Sequence, residues 1–133
     1  MNTEKSILII DDSSMTQSLI VKHLNDLGIF NIDIAANGLV ACRKIESGLQ
    51  EGRPYKLIFC DWNMPGLNGE GVLKFVRGIE KMDKTYIAVL SADISTETSK
   101  LAKELGANIF ITKPFNAAKI KTFVQTLNLN LSK

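Results

Sequence analysis

The chain has 133 residues, 45% of them hydrophobic, and carries 16 Lys and Arg against 14 Asp and Glu for a net charge of +2. That length suits one domain with a sizeable core and leaves no room for a second, so residues 1–133 are read as one unit. Basic residues never run beyond a pair and no apolar run approaches a membrane span or a signal-peptide core, which argues against direct nucleic-acid contact and against membrane insertion, and for a cytoplasmic protein.

In chain order, the aliphatic run Ser6–Ile10 reads as a strand and ends in Asp11-Asp12. Met15, Leu19, Ile20, Leu24 and Leu27 then share one helical face before Gly28. Ile32–Ala35 reads as a second strand, and a weaker helix over Leu39–Glu46 follows a cap at Asn37 and Gly38. The third strand, Leu57–Cys60, runs into Asp61, with loop signals at Met64-Pro65-Gly66 and Asn68-Gly69 directly after it. Val72, Phe75, Val76 and Ile79 repeat with helical spacing, and the run Tyr86–Leu90 forms a fourth strand ending in Ser91. A helix over Thr96–Leu105 closes at Gly106, the strand Ile109–Thr112 ends in Lys113, and Ile120, Phe123, Val124 and Leu127 mark a last helix. The stretch Ser47–Tyr55 is long for a connection and makes the end of the second helix the hardest boundary to place.

Five repeats of strand then helix need crossover connections, which build a parallel sheet with helices on both faces. The near-continuous aliphatic strands agree, because a strand covered on both faces has no polar side. The expected fold is therefore α/β and doubly wound, with five parallel strands in the flavodoxin-like order 2-1-3-4-5 and a switch point between the first and third strands. Cys42 falls in a helical pattern and Cys60 in a strand pattern; without a CxxC or Cys/His cluster, both read as small buried hydrophobes.

Four strands thus end in reactive polar residues on one edge: Asp11 and Asp12, Asp61, Ser91 and Lys113. Carboxylates at neighbouring strand ends, about 4.8 Å apart, repel by roughly 3 kcal/mol per pair at an effective dielectric near 20, so positive charge belongs among them. A hard divalent cation with oxygen ligands fits, and Mg²⁺ leaves room for a substrate phosphate. Metal, hydroxyl and ammonium together supply the contacts a transferring phosphoryl group needs, and Asp61 on the central strand is the nucleophile they surround, giving an acyl phosphate. Taken singly, each residue has a plainer reading. Asp12, Ser13 or Ser14 caps the first helix, Ser91 is a turn residue, Lys113 is a solvated charge, and Trp62 and Phe110 pack. Four strand ends agreeing by accident is the weaker explanation.

The whole chain resembles the receiver domains of bacterial two-component signalling, in the style of the single-domain chemotaxis regulators. The resemblance rests on Ile-Ile-Asp-Asp at 9–12, Asp-Trp-Asn-Met-Pro at 61–65, Leu-Ser-Ala-Asp at 90–93 and Ile-Thr-Lys-Pro-Phe at 111–115. It implies that Asp11, Asp12 and Asp61 bind Mg²⁺ together with the backbone carbonyl of Asn63. It further implies that Asp61 is phosphorylated by a sensor histidine kinase or phosphotransfer protein, that Lys113 binds the phosphoryl group, and that Ser91 and Phe110 form the switch. The Lys113–Pro114 bond is implied to be cis. A downstream effector would dock on the fourth helix, fifth strand and fifth helix, where Lys100, Lys103, Lys119 and Lys121 favour an acidic partner. Ser91 stands where threonine is commoner and Phe110 where tyrosine is, so the hydroxyl of the switch is kept and the phenol is lost. Asn63 and Asp93 occupy positions that tune how fast water reaches the acyl phosphate.

The resemblance implies a signalling protein that assists only its own phosphorylation and dephosphorylation. An aspartyl phosphatase using Mg²⁺ is a poorer fit, because such enzymes place a second aspartate two residues after the nucleophile, where this chain has Asn63, and need a cap domain. A phosphocarrier built on His23, the only histidine, is poorer still, since that residue sits in an α/β repeat and not in a helical bundle. No output region is expected after Leu127, so the chain either acts alone or is the receiver portion of a longer regulator with DNA-binding or enzymatic output.

Overall fold

The computed structural model describes residues 6–93 and 95–127. The elements are β1 (Ile7–Ile10), α1 (Ser14–Asp26), β2 (Ile32–Ala35), α2 (Gly38–Gln50), β3 (Leu57–Asp61), α3 (Gly69–Arg77), β4 (Tyr86–Ser91), α4 (Thr96–Glu104), β5 (Ile109–Thr112) and α5 (Ala117–Thr126), with a 3₁₀ turn at Glu80–Met82 before β4. The sheet is five-stranded and all parallel in the order β2-β1-β3-β4-β5, as expected from the strand and helix alternation.

The aliphatic strands divide their side chains between two cores because successive residues point to opposite faces. Ile7 and Ile9 of β1, Leu57 and Phe59 of β3, and Ala88 and Leu90 of β4 meet α1 and α5 through Ile20, Leu24, Ile120 and Phe123. Phe59 and Phe123 pack edge to face with centroids 6.1 Å apart. On the other face Leu8, Ile58, Cys60 and Val89 meet Ala41 and Ile45 of α2, Val72 and Val76 of α3, and Ala102 of α4. Each fully buried aliphatic side chain contributes about 1.5–3 kcal/mol of transfer free energy, so the central strands β1, β3 and β4 are the most firmly held.

Several boundaries move. β1 begins at Ile7, while β3 and β4 each extend one residue to include Asp61 and Ser91, because the ladder continues through the Asp61–Leu90 and Ser91–Thr112 register pairs. α2 runs on to Gln50, into the stretch that is long for a connection, with Glu51 as its C-cap and Gly52 just beyond, whose φ of +72° suits a residue without a Cβ. α3 begins three residues before Val72, at Gly69, after a side-chain cap by Asn68. The helical face assigned to α1 is only half right. Ile20 and Leu24 are buried, but Met15 is 80% exposed and Leu19 is 38% exposed, since the first turns of α1 lie at the rim of the sheet's carboxyl edge rather than over its face. Cys60 is buried as expected, whereas Cys42 on α2 is only half buried.

Candidate functional site

The parallel register sets the site. Ile10 pairs with Cys60, Asp61 with Leu90, and Ser91 with Thr112, so the residues that follow or close β1, β3, β4 and β5 emerge at one edge. Carboxylate oxygens of Asp11, Asp12 and Asp61 come within 4.8 Å of one another, with Asp11 fully buried, Asp61 5% exposed and Asp12 open to solvent. Lys113 Nζ lies 3.0 Å from Asp11 Oδ2 and 3.3 Å from Asp61 Oδ1. The Lys113–Pro114 bond is cis, as the resemblance implied.

The two buried carboxylates are each positioned by a backbone N–H. The Ser13 N–H donates to Asp11 Oδ1 at 2.9 Å, and the Asn63 N–H to Asp61 Oδ1 at 3.4 Å. Ser13, one of the three residues open to that role, is the cap of α1: its hydroxyl accepts from the Thr16 N–H. Trp62 is buried and its N–H continues the ladder onto the Leu90 carbonyl at 2.8 Å, which is the packing role expected of it. Gly69 fits beneath this turn because a Cβ there would stand 2.7 Å from both the Asp61 carbonyl oxygen and the Trp62 Cα.

Ser91 is fully buried, and its Oγ accepts from the Asp93 N–H at 3.0 Å. Phe110 is half buried in β5, against the core that lies under α2, α3 and α4. One contributor, Gln17, was not singled out by sequence, and the side-chain partners of Asp93 were not foreseen. Gln17 Nε2 donates to the Asp11 carbonyl at 2.7 Å, and the Asp93 carboxylate accepts from Ser95 and Thr98. The only signal for Gln17 is its place one helical turn after Ser13.

Burial and the neighbouring Asp11 charge push the Asp61 carboxyl above its ordinary range, against the pull of Lys113. For Lys113, burial acts to favour the neutral amine, but the hydrogen bond and charge of Asp11 together with Asp61 outweigh it and hold the ammonium form. The edge is thus a buried carboxylate pair bridged by one cation. Its donors are all carboxylate oxygens, with no Cys or His in the group, which suits a hard ion such as Mg²⁺.

A sequence model of the response regulator receiver domain matches residues 7–125. The chain belongs to that family. It is 33% identical to the chemotaxis protein CheY-3 of Vibrio cholerae over 121 residues, covering 91% of this chain and 89% of the relative. It is 31% identical to the chemotaxis protein CheY of Pseudomonas aeruginosa, covering 91% and 94%. Among solved structures, Vibrio cholerae CheY4 superposes with a TM-score of 0.81 at 28% identity, over 92% of this chain and 98% of that one. The receiver domain of the Francisella response regulator 1452 gives 0.75 at 29% identity, over 95% and 96%. The chain is therefore a receiver of the CheY type in two-component signalling, a family that works with histidine kinases and downstream effectors and generally uses Mg²⁺ at its acidic pocket. Among the described residues no helix is long and apolar enough to cross a membrane.

Proposed function

We propose that Asp61 accepts a phosphoryl group from the phosphohistidine of a sensor kinase or phosphotransfer protein. The supporting observation is the Lys113 ammonium set between Asp11 Oδ2 at 3.0 Å and Asp61 Oδ1 at 3.3 Å, with Asp12 completing a carboxylate cluster on the same edge. One carboxylate oxygen of Asp61 attacks phosphorus; the new O–P bond forms as the P–N bond to the donor imidazole breaks, and the imidazole leaves with that electron pair.

Asp11, Asp12, Asp61 and the Asn63 backbone carbonyl would hold Mg²⁺, which when bound supplies charge neutralisation for the transferring oxygens. Lys113 keeps its proton and exchanges its contact with the Asp61 carboxylate for one with a phosphoryl oxygen. The Ser91 hydroxyl donates to another, leaving Asp93, and the vacated space admits the Phe110 ring. The signal then lies on α4, β5 and α5, where exposed Lys100, Lys103, Lys119 and Lys121 favour an acidic effector surface.

Incubation with acetyl phosphate and Mg²⁺ tests the reading by intact mass. One added phosphate is expected for the wild type, and none for Asp61→Ala or after EDTA. Equal uptake by Asp61→Ala contradicts it.

A further inference from the structure

Little apolar area fixes α4 to the sheet, since only Ala102 of the helix is buried and Leu101 is 37% exposed. Polar contacts tie its two ends instead. Beyond the C-terminal end, Arg77 Nε and Nη2 donate to the Gly106 carbonyl at 3.0 and 2.9 Å. The same guanidinium reaches the Thr85 carbonyl at 2.8 Å and Asn108 Oδ1 at 3.1 Å, which joins that end to the approaches of β4 and β5. Gly106 itself takes a φ of +109°, and its carbonyl faces the fork of the guanidinium.

The N-terminal end is tied through one residue. Asp93 Oδ1 accepts from the Ser95 N–H at 2.9 Å, and Oδ2 accepts from the Thr98 hydroxyl at 2.6 Å. Ser95 in turn caps the helix by accepting from the Thr98 N–H at 3.2 Å. The backbone N–H of the same Asp93 donates to Ser91 Oγ at 3.0 Å. Residue 93 therefore holds the switch hydroxyl with its main chain and the first turn of α4 with its side chain.

We propose that Asp93 is a positioning residue that carries movement of the Ser91 hydroxyl into the first turn of α4, through the Asp93–Thr98 and Asp93–Ser95 hydrogen bonds. The proposal rests on the reading that Asp61 is phosphorylated and that Ser91 turns toward the phosphoryl group. When the hydroxyl leaves the Asp93 N–H, the tie between residue 93 and the end of β4 is released, and the resulting shift of residue 93 passes through its carboxylate to Thr98 and Ser95. Arg77 fixes the far end, so the motion is confined to the first turn and does not displace the whole helix.

The test follows backbone amide NMR shifts of the full chain on adding beryllium fluoride and Mg²⁺ as a phosphoryl mimic, in wild type, Thr98→Val and Thr98→Ser. Shifts at residues 60–63 and 89–92 are expected in all three, reporting mimic at Asp61 and response at Ser91. In Thr98→Val the mimic's effect on the balance of α4 positions, read at residues 95–100, falls about fivefold, the lower end of site-to-site coupling. Thr98→Ser, which keeps the hydroxyl, restores it. Wild-type shifts over residues 95–100 in Thr98→Val overturn the proposal, and so does a Thr98→Ser variant that behaves like valine. Absence of any shift at residues 60–63 in the wild type is a different result, which overturns the phosphoacceptor reading and the coupling with it.

Discussion

Lys113 and Asp11 stand 102 positions apart in sequence and 3.0 Å apart in space, with the Asp11 side chain fully buried. One ion pair thus joins the exits of β1 and β5 across the sheet's carboxyl edge. Removing one member of a buried pair leaves the other uncompensated, which costs about 3–5 kcal/mol when both are fully buried. Lys113 keeps 23% of its side chain in solvent, so the loss is smaller. Lys113→Met is expected to lower stability by about 2 kcal/mol in EDTA, and by clearly less in excess Mg²⁺, where a bound cation takes over the compensation. Urea unfolding with and without the ion measures both. Equal losses in the two conditions contradict this account of the edge.

Ser91→Ala separates phosphorylation from response. Moving a two-state balance from about 1% to 99% needs roughly 5.5 kcal/mol, more than the 1.5–3 kcal/mol of one hydrogen bond to a charged group. In the proposed switch Ser91 would therefore share the work with Lys113 and bound Mg²⁺. The variant is expected to take up phosphate at Asp61 while showing much smaller NMR shifts over residues 95–125 than the wild type with a phosphoryl mimic. Equal shifts in the two proteins rule this switch out.

Arg77 offers a test of the far end of α4. Its guanidinium donates to the carbonyls of Met82, Thr85 and Gly106 and to Asn108 Oδ1, a set that a lysine ammonium cannot span. Arg77→Lys is expected to destabilise the fold by about 2 kcal/mol in urea unfolding. Faster amide hydrogen exchange at residues 105–109 is expected alongside, with exchange in β1 and β3 changing only by the global loss. Unchanged stability refutes the clamp.

Asp33 gives a pH dependence away from the site. Burial alone raises its pKa, but the hydrogen bond from Tyr55 at 2.8 Å and the bond and charge of Lys44 at 3.1 Å overcome that and hold its carboxyl below the ordinary range. A carboxylate with a lowered folded pKa adds stability above its unfolded value, lost as pH falls through the folded value. Tyr55→Phe is expected to cost about 1 kcal/mol at pH 7, with the gap to wild type narrowing as pH drops through the carboxylate range. A gap that widens in acid has the wrong sign for this network.

What could be read from sequence follows the range of each interaction. Asp11, Asp61, Ser91 and Lys113 were legible because strand periodicity and topology alone bring strand ends to one edge. The reach of α2 to Gln50 was not, since Ser47-Gly48 weakens the local helix signal while the cap that ends the helix lies beyond it. Met15 and Leu19 fit the helical stripe, yet whether a stripe residue is covered depends on how far the helix overhangs the sheet, which periodicity does not encode. Arg77 and Gln17 act through backbone carbonyls of other segments, and a polar residue's partner carbonyl leaves no trace in its own neighbours.

The central claim is that the new bond forms on Asp61. An acyl phosphate is reduced by borohydride to the alcohol, so treating the protein with acetyl phosphate and Mg²⁺, then with borohydride, converts a phosphorylated aspartate to homoserine. Peptide mass spectrometry is expected to find homoserine at position 61 alone, and none when EDTA is present during the first step. Homoserine at another aspartate, or phosphate retained on His23 with position 61 unchanged, contradicts the account.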